Sequence, residues 1–225
     1  MLTALQAFVR QSALRHAPSI ATLLDVLAPR ECAACGVPLT TGEAFCGACG
    51  RPRSVAPGEV AGVPLWVAGA YEPPLSLAIG RFKFERHAEL APRLAALLAS
   101  SLSALALAPG DVFVPVPLHP RRLVERGFDQ AALLAAALAR ATRTRFAPRL
   151  LERARATEQQ ARLGRDERSA NVGGAFRPRA RAPAGRVVLV DDVVTTGATI
   201  GACIAALEGA GCKMAGAVAL ARAGS

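Results

Sequence analysis

The stretch Val187-Val188-Leu189-Val190-Asp191-Asp192-Val193-Val194-Thr195-Thr196-Gly197-Ala198-Thr199 concentrates the groups that could do chemistry. Its first four aliphatic residues make a buried central strand. Two carboxylates follow at the carboxyl end, where open α/β sheets bind ligands. A turn of Thr and Gly then opens a helix. Backbone N–H groups at such a helix start, with Thr hydroxyls, can cradle a phosphate. Gly197 allows the backbone to approach it closely. Carboxylates would repel the phosphate itself, so they suit the hydroxyls of an attached sugar, or a Mg²⁺ bridging to it. The chemistry predicted is recognition of a sugar phosphate with vicinal hydroxyls. The plainer reading is surface acids before a chance turn. No Ser/His/Asp arrangement points to a covalent nucleophile.

A second constellation is sulfur. Cys32-Ala-Ala-Cys35-Gly36 and Cys46-Gly47-Ala48-Cys49-Gly50 are separated by ten residues. Each CxxCG can turn tightly and aim two thiolates at one point. Two such turns make a tetrahedral cage for Zn²⁺. The alternative, a pair of disulfides, is disfavoured in a reducing compartment. A ribbon this small needs metal to fold, so the zinc is read as structural; binding of nucleic acid or a partner is the sharper alternative. Cys203 shares the apolar stripe Ile200, Cys203, Ile204, Leu207 and is read as core. Nothing singles out Cys212.

Charge forms the third signal. The chain of 225 residues carries a net +10, and residues 140–181 hold twelve Arg against four acids. That localisation implies an anionic partner, a phosphorylated small molecule or nucleic acid. Phe146 and Phe176 alone interleave with those arginines, a poor set of stacking platforms for single strands.

The surrounding elements must position these groups. A hydrophobic content of 52% excludes a disordered chain, and 4% aromatics means a core of Ala, Leu and Val. No apolar run is long enough for a transmembrane helix, and no signal peptide opens the chain, so a cytoplasmic protein without membrane insertion is expected. Residues 1–28 read as two helical pieces broken at Pro18, and 29–56 as the zinc ribbon, with a linker from Ser54 to Gly62. Strands are expected at Leu65–Tyr71, Val112–Val116, Val187–Val190 and Ala215–Leu220, and one ending near Arg149–Glu152. Helices are expected over 87–107, 120–142 (doubtful at its start because of Gly127) and 198–210. Residues 153–180 read as a mobile polar loop. Alternating strands and helices give an α/β fold with a mostly parallel sheet, spanning 65–225.

The Val187–Thr199 stretch resembles the signature of type I phosphoribosyltransferases that binds phosphoribosyl pyrophosphate (PRPP). Val114-Pro115-Val116-Pro117-Leu118-His119-Pro120-Arg121-Arg122 and Arg126-Gly127-Phe128-Asp129-Gln130 resemble the ComF family, with Asp129 where that family usually has Asn. Arg153-Ala-Arg155-Ala-Thr157-Glu158-Gln159-Gln160 and the sequence through Phe176 resemble its flexible hood. The CxxC pairs, preceded by Leu23-Leu24-Asp25-Val26-Leu27-Ala28-Pro29, fit the same family.

The resemblance implies a type I phosphoribosyltransferase fold behind an N-terminal zinc ribbon. Asp191 and Asp192 would contact the ribose hydroxyls of PRPP, and Thr195, Thr196, Gly197, Ala198 and Thr199 its 5′-phosphate. Arg121, Arg122, Arg126, Arg153 and Arg155 would bind pyrophosphate; for the first three, a solvated helix start is the bland alternative. His119 is read as a turn residue, and Lys83, within an Ile79-x-x-x-Lys83 pattern, as a surface cation. Cys32, Cys35, Cys46 and Cys49 would hold structural zinc, and Mg²⁺ would come with PRPP. The implied reaction transfers phosphoribose to a nitrogen acceptor, in a protein associated with natural competence. The alternative is a non-catalytic handler of single-stranded DNA, working with competence proteins, whose PRPP pocket is a sensor or a vestige. The acceptor base and the oligomeric state stay open.

Overall fold

Short apolar runs that alternate with amphipathic segments do assemble into a mostly parallel sheet between helical layers. The computed structural model describes residues 31–40, 42–102, 105–153 and 174–224. The expected helices of 1–28 and most of the expected hood, Arg155 included, lie outside the described residues.

The main sheet has six strands in the order β1-β2-β8-β7-β3-β4. These are β1 (Gly58–Val60), β2 (Val63–Ala70), β3 (Val112–Pro115), β4 (Arg145–Phe146), β7 (Val187–Val194) and β8 (Met214–Arg222). Only β1 runs antiparallel to its neighbour. A separate antiparallel pair joins β5 (Leu151–Arg153) to β6 (Phe176–Pro178). The helices are α1 (Leu75–Phe84), α2 (Ala91–Ser101), α3 (Pro120–Arg126), α4 (Gln130–Thr142) and α5 (Ala198–Gly209).

Side chains alternate across a strand, so each strand feeds two cores. Phe113, Val188, Val190, Val218 and Leu220 join α1, α2 and α4 on one face. Val112, Val114, Val187, Leu189, Ala217 and Ala219 join α5 and the β5–β6 pair on the other.

Several elements differ from expectation. The stretch read as linker contains β1, turned back on β2 by Ala61 and Gly62, both at positive φ (50° and 75°). That two-residue left-handed turn matches the twist of a hairpin. The helix α1 was not expected, although Leu75, Ala78, Ile79 and Phe82 carry the i, i+3, i+4, i+7 pattern and are all fully buried. Pro73-Pro74 before it and Gly80 within it hide the signal. The 87–107 helix contracts to α2, entered through a 3-10 turn at Ala88–Leu90. The 120–142 helix breaks at Gly127 (φ 82°) into α3 and α4. The β5–β6 pair reaches into the stretch read as loop and forms its stem.

The cysteine turns are not a separate lobe. Cys32, Ala33, Ala34 and Phe45 are buried in the same core as Leu75, Ile79 and Leu94. From α1, Arg81 donates to the Cys32 carbonyl at 2.8 Å, and from α2, Arg93 donates to the carbonyls of Glu31 and Glu43.

Candidate functional site

The site grows from the carboxyl end of β7. The strand continues past its buried Val187–Val190 run to take in Asp191 and Asp192. Thr195 and Thr196 follow, exposed, and Gly197 takes up a left-handed conformation (φ 79°) as the N-cap of α5. Only glycine suits that position on two counts: the φ, and a Cβ that would stand 2.6 Å from Val60 Cγ2 of the β1–β2 hairpin. Gly197 offers no side chain to cap α5, and Thr196 Oγ1 accepts from the Ala198 amide at 3.4 Å, so an anion at this helix start would meet the Thr196 hydroxyl together with the first amides. Beside them lies an open cavity of about 490 Å³ lined by Thr195, Thr196, Arg222, Ala223 and Gly224.

Adjacent carboxylates on a strand point to opposite faces. Asp192 follows Val190 toward α1, where Lys83 Nζ donates to its Oδ1 at 2.7 Å; both side chains are only 13% exposed. Lys83 is thus not the surface cation read from the sequence. The periodicity of α1 places it: Phe82 faces the core and turns Lys83 toward the strand end. Asp191 lies on the other face, with Oδ1 accepting from the Asp192 amide at 2.8 Å. Burial, then the neighbouring Asp192 charge, pushes the Asp191 carboxyl up to about 8. Beneath it, burial and the Asp191 charge raise the core thiol of Cys203.

The arginines divide into two groups. Arg126 is drawn inward: Nη1 donates to Gln130 Oε1 at 2.8 Å, and its guanidinium lies 5.4 Å from the centre of the Phe84 ring. Burial lowers its pKa, while Asp192 pulls the other way. Arg121 and Arg122 stay exposed at the start of α3. His119 caps that helix, Nδ1 accepting from the Arg121 amide at 3.1 Å, which agrees with its reading as a turn residue. Burial lowers the His119 pKa, and so do the charges of Arg153, Arg121 and Arg122. The charges of Arg121, Arg122 and the hood-stem Arg153 are thus all felt at one histidine. Asp129 caps α4, accepting from the Ala132 amide at 3.0 Å, and burial raises its pKa.

One cation was read as a surface group and another was missed. Lys83 needs a contact across 109 residues. Arg222 reaches the Thr195–Thr196 cavity from the end of β8, and no local pattern marks it.

Beside Arg81 of the same helix, the sulfur atoms of Cys32, Cys35, Cys46 and Cys49 lie within 4.8 Å of one another, a cluster that could hold a metal ion. All six cysteines are free thiols. Gly36 and Gly50, at φ 77° and 72°, close the two turns. The amides of Gly36 and Gly50 donate to the carbonyls of Cys32 and Cys46 at 2.9 and 3.0 Å. Burial raises the Cys32 thiol, but the amides of Cys35, Cys46 and Ala34 outweigh it and bring the thiol down to about 6. Four sulfurs in this arrangement suit tetrahedral Zn²⁺.

Comparison with known proteins agrees with this geometry. A family model described as "Phosphoribosyl transferase domain" matches residues 134–225. The DNA utilization protein YhgH of Escherichia coli O157:H7 is 34% identical over 177 residues, covering 75% of this chain and 74% of its own. Competence protein F of Haemophilus influenzae is 32% identical over 182 residues, with the same coverage of 75% and 74%. Competence protein ComFC of Bacillus subtilis is 32% identical over 130 residues, 58% of this chain and 52% of its own. A four-cysteine cluster packed on a phosphoribosyltransferase-type sheet, with relatives of these names, shows that the chain belongs to the competence-associated ComF family.

Proposed function

We propose that the chain binds magnesium-complexed PRPP at the carboxyl end of β7 and transfers its phosphoribosyl group to a nitrogen acceptor. The carrying observation is the run from Asp191 to α5: two carboxylates, a left-handed glycine, then the first amides of a helix. In this reading Thr195 to Thr199 wrap the 5′-phosphate, and Asp191 and Asp192 accept from the ribose hydroxyls. Arg121, Arg122, Arg153 and, from outside the described residues, Arg155 neutralise the pyrophosphate. Arg126, already bound to Gln130, braces the Asp192 side.

The bond from ribose C1 to the pyrophosphate oxygen breaks, one from C1 to the acceptor nitrogen forms, and pyrophosphate departs with its electron pair. Positive charge develops on the ribose, so orientation and exclusion of water carry the rate. Magnesium, when bound, would help neutralise the departing pyrophosphate. The donor set suits it as an ion carried on the ligand, because Asp192 already holds Lys83. Zinc on Cys32, Cys35, Cys46 and Cys49 has a structural role in this reading.

Calorimetry with Mg·PRPP tests it, with Asp191→Asn/Asp192→Asn as control. Saturable binding lost in the variant supports the reading, and no binding by the unsubstituted protein overturns it.

A second reading, handling of single-stranded DNA with the pocket as sensor, is favoured by one surface. Arg140, Arg143, Arg145 and Arg149 are all exposed around β4. None is in a salt bridge among the described residues. Phe146, 37% exposed, stands among them as a base-stacking face. The names of the relatives, DNA utilization protein and competence protein, point the same way.

A further inference from the structure

We propose that Lys83 sets the ligand class of the acidic pair: it reserves Asp192 for neutral hydroxyl donors and denies the pair to a free divalent cation. A divalent ion then enters only when already chelated by the phosphates of its ligand. The hydroxyl half of this statement rests on the proposed function; the denial of a free cation does not.

Although Asp191 and Asp192 leave the strand on opposite faces, an acid at an open strand end with a second acid beside it would ordinarily attract a hard dication, which seeks several oxygen ligands. Here one oxygen of Asp192 is taken by an ammonium at 2.7 Å. The pair is not a loose surface contact, since both side chains are 13% exposed and the partners are 109 residues apart. The position of Lys83 is fixed from below: Leu75, Ala78, Ile79 and Phe82 are all buried, and the Phe82 ring lies 5.5 Å from that of Phe128. Arg126, whose guanidinium lies 5.4 Å from the centre of the Phe84 ring, adds a second positive charge near Asp192.

A dication at the pair would meet a fixed ammonium at contact range, in surroundings that screen little. A hydroxyl meets no such repulsion. It donates to the remaining carboxylate lone pairs while Lys83 stays in place. Lys83 thereby acts as a specificity-determining residue through Asp192, without touching the reacting atoms.

The test titrates zinc-loaded protein with manganese(II) alone, following the free ion by electron paramagnetic resonance. The unsubstituted protein and Lys83→Arg are expected to leave the ion free. Lys83→Met should take up one ion at least about tenfold more tightly, and the added Asp192→Asn should remove that site. Lys83→Gln provides the same neutralisation if Lys83→Met fails to fold. Equal manganese affinity in the unsubstituted protein and the neutral variants overturns the proposal, and so does no gained site in either. PRPP binding measured in parallel separates the two readings. A gained manganese site without PRPP binding by the unsubstituted protein leaves Lys83 in its role and removes the proposed function. PRPP binding without the gained site does the reverse.

Discussion

Arg81 and Lys83 lie two residues apart on α1 and reach opposite destinations: Arg81 Nη1 donates to the Cys32 carbonyl at 2.8 Å, and Lys83 Nζ to Asp192 at 2.7 Å. A single helix thus ties the cysteine turns to the strand end that carries the carboxylates. Arg81 also pairs with Glu31 and Glu85 while its own side chain is 13% exposed, so the helix has little freedom to rotate.

Removal of metal from the cysteine turns is expected to loosen α1 as well as the turns. Cys32, Ala33, Ala34 and Phe45 leave a core shared with α1 and α2 when the turns open. Chelation should lower the Tm by about 5 °C or more, since metal binding energy is folding energy in such turns and 1 kcal/mol is worth about 2–4 °C at this size. Thermal melts with and without chelator measure it. An unchanged melt would mean that the turns hold without metal.

Asp191 gives the ligand-free protein an unusual pH dependence. Burial and the Asp192 charge raise its carboxyl to about 8 when folded, against an unfolded value near 3.8. The folded state therefore binds more protons than the unfolded one between those values, and this residue's contribution to stability falls as pH rises through that window. Asp191→Asn is expected to melt higher than the parent protein at pH 8, by a few degrees at about 2–4 °C per kcal/mol, and to match it near pH 4. Melts at the two pH values decide it; a variant less stable at pH 8 contradicts the assignment.

Gly197→Ala should hurt both fold and binding. The φ of 79° costs a residue with a Cβ about 1–2 kcal/mol, and the clash with Val60 adds to it. A lower Tm with PRPP affinity reduced about tenfold or more is expected if the turn must shift. Val60→Ala should recover part of the stability, because it removes the clashing methyl groups and leaves the φ cost.

The arginines around β4 predict a salt-dependent affinity for single strands. Removing the charges of Arg143, Arg145 and Arg149 should weaken binding of an oligonucleotide and flatten the log–log salt slope by about 0.7 for each lost contact. Phe146→Ala should weaken binding by about 1–3 kcal/mol and leave the slope unchanged. Fluorescence anisotropy over a salt series reads both. An unaltered slope in the arginine variant would place any DNA contact elsewhere.

The sheet and its carboxylate end were legible because local patterns fix them. The aliphatic run at Val187–Val190, the glycine at 197 and the paired CxxC turns each announce a backbone geometry by composition alone. Gly127 cast doubt on the start of the 120–142 helix but did not by itself foretell the split into α3 and α4. What stayed hidden depends on long-range packing. The amphipathic stripe of α1 is present in Leu75, Ala78, Ile79 and Phe82, yet Pro73-Pro74 and Gly80 argue locally against a helix. Tertiary burial overrides them. The partner of Lys83 could not be recognised without that helix, because only the helix phase aims it at Asp192. The strands β4 and β6 are two and three residues long. Segments that short have no period to read, and they exist only by pairing with β3 and β5.

The main sheet ends on one side in β1, three residues long, and on the other in β4, two residues long and bearing Arg145. Truncated, charged borders of this kind give a neighbouring molecule almost no ladder of free amides to extend. The long, apolar strands β7 and β8, the segments with the strongest tendency to stack into fibres, are held in the interior of the sheet. Among the described residues, the order of the strands thus works with the net charge against aggregation of a chain with 52% hydrophobic residues.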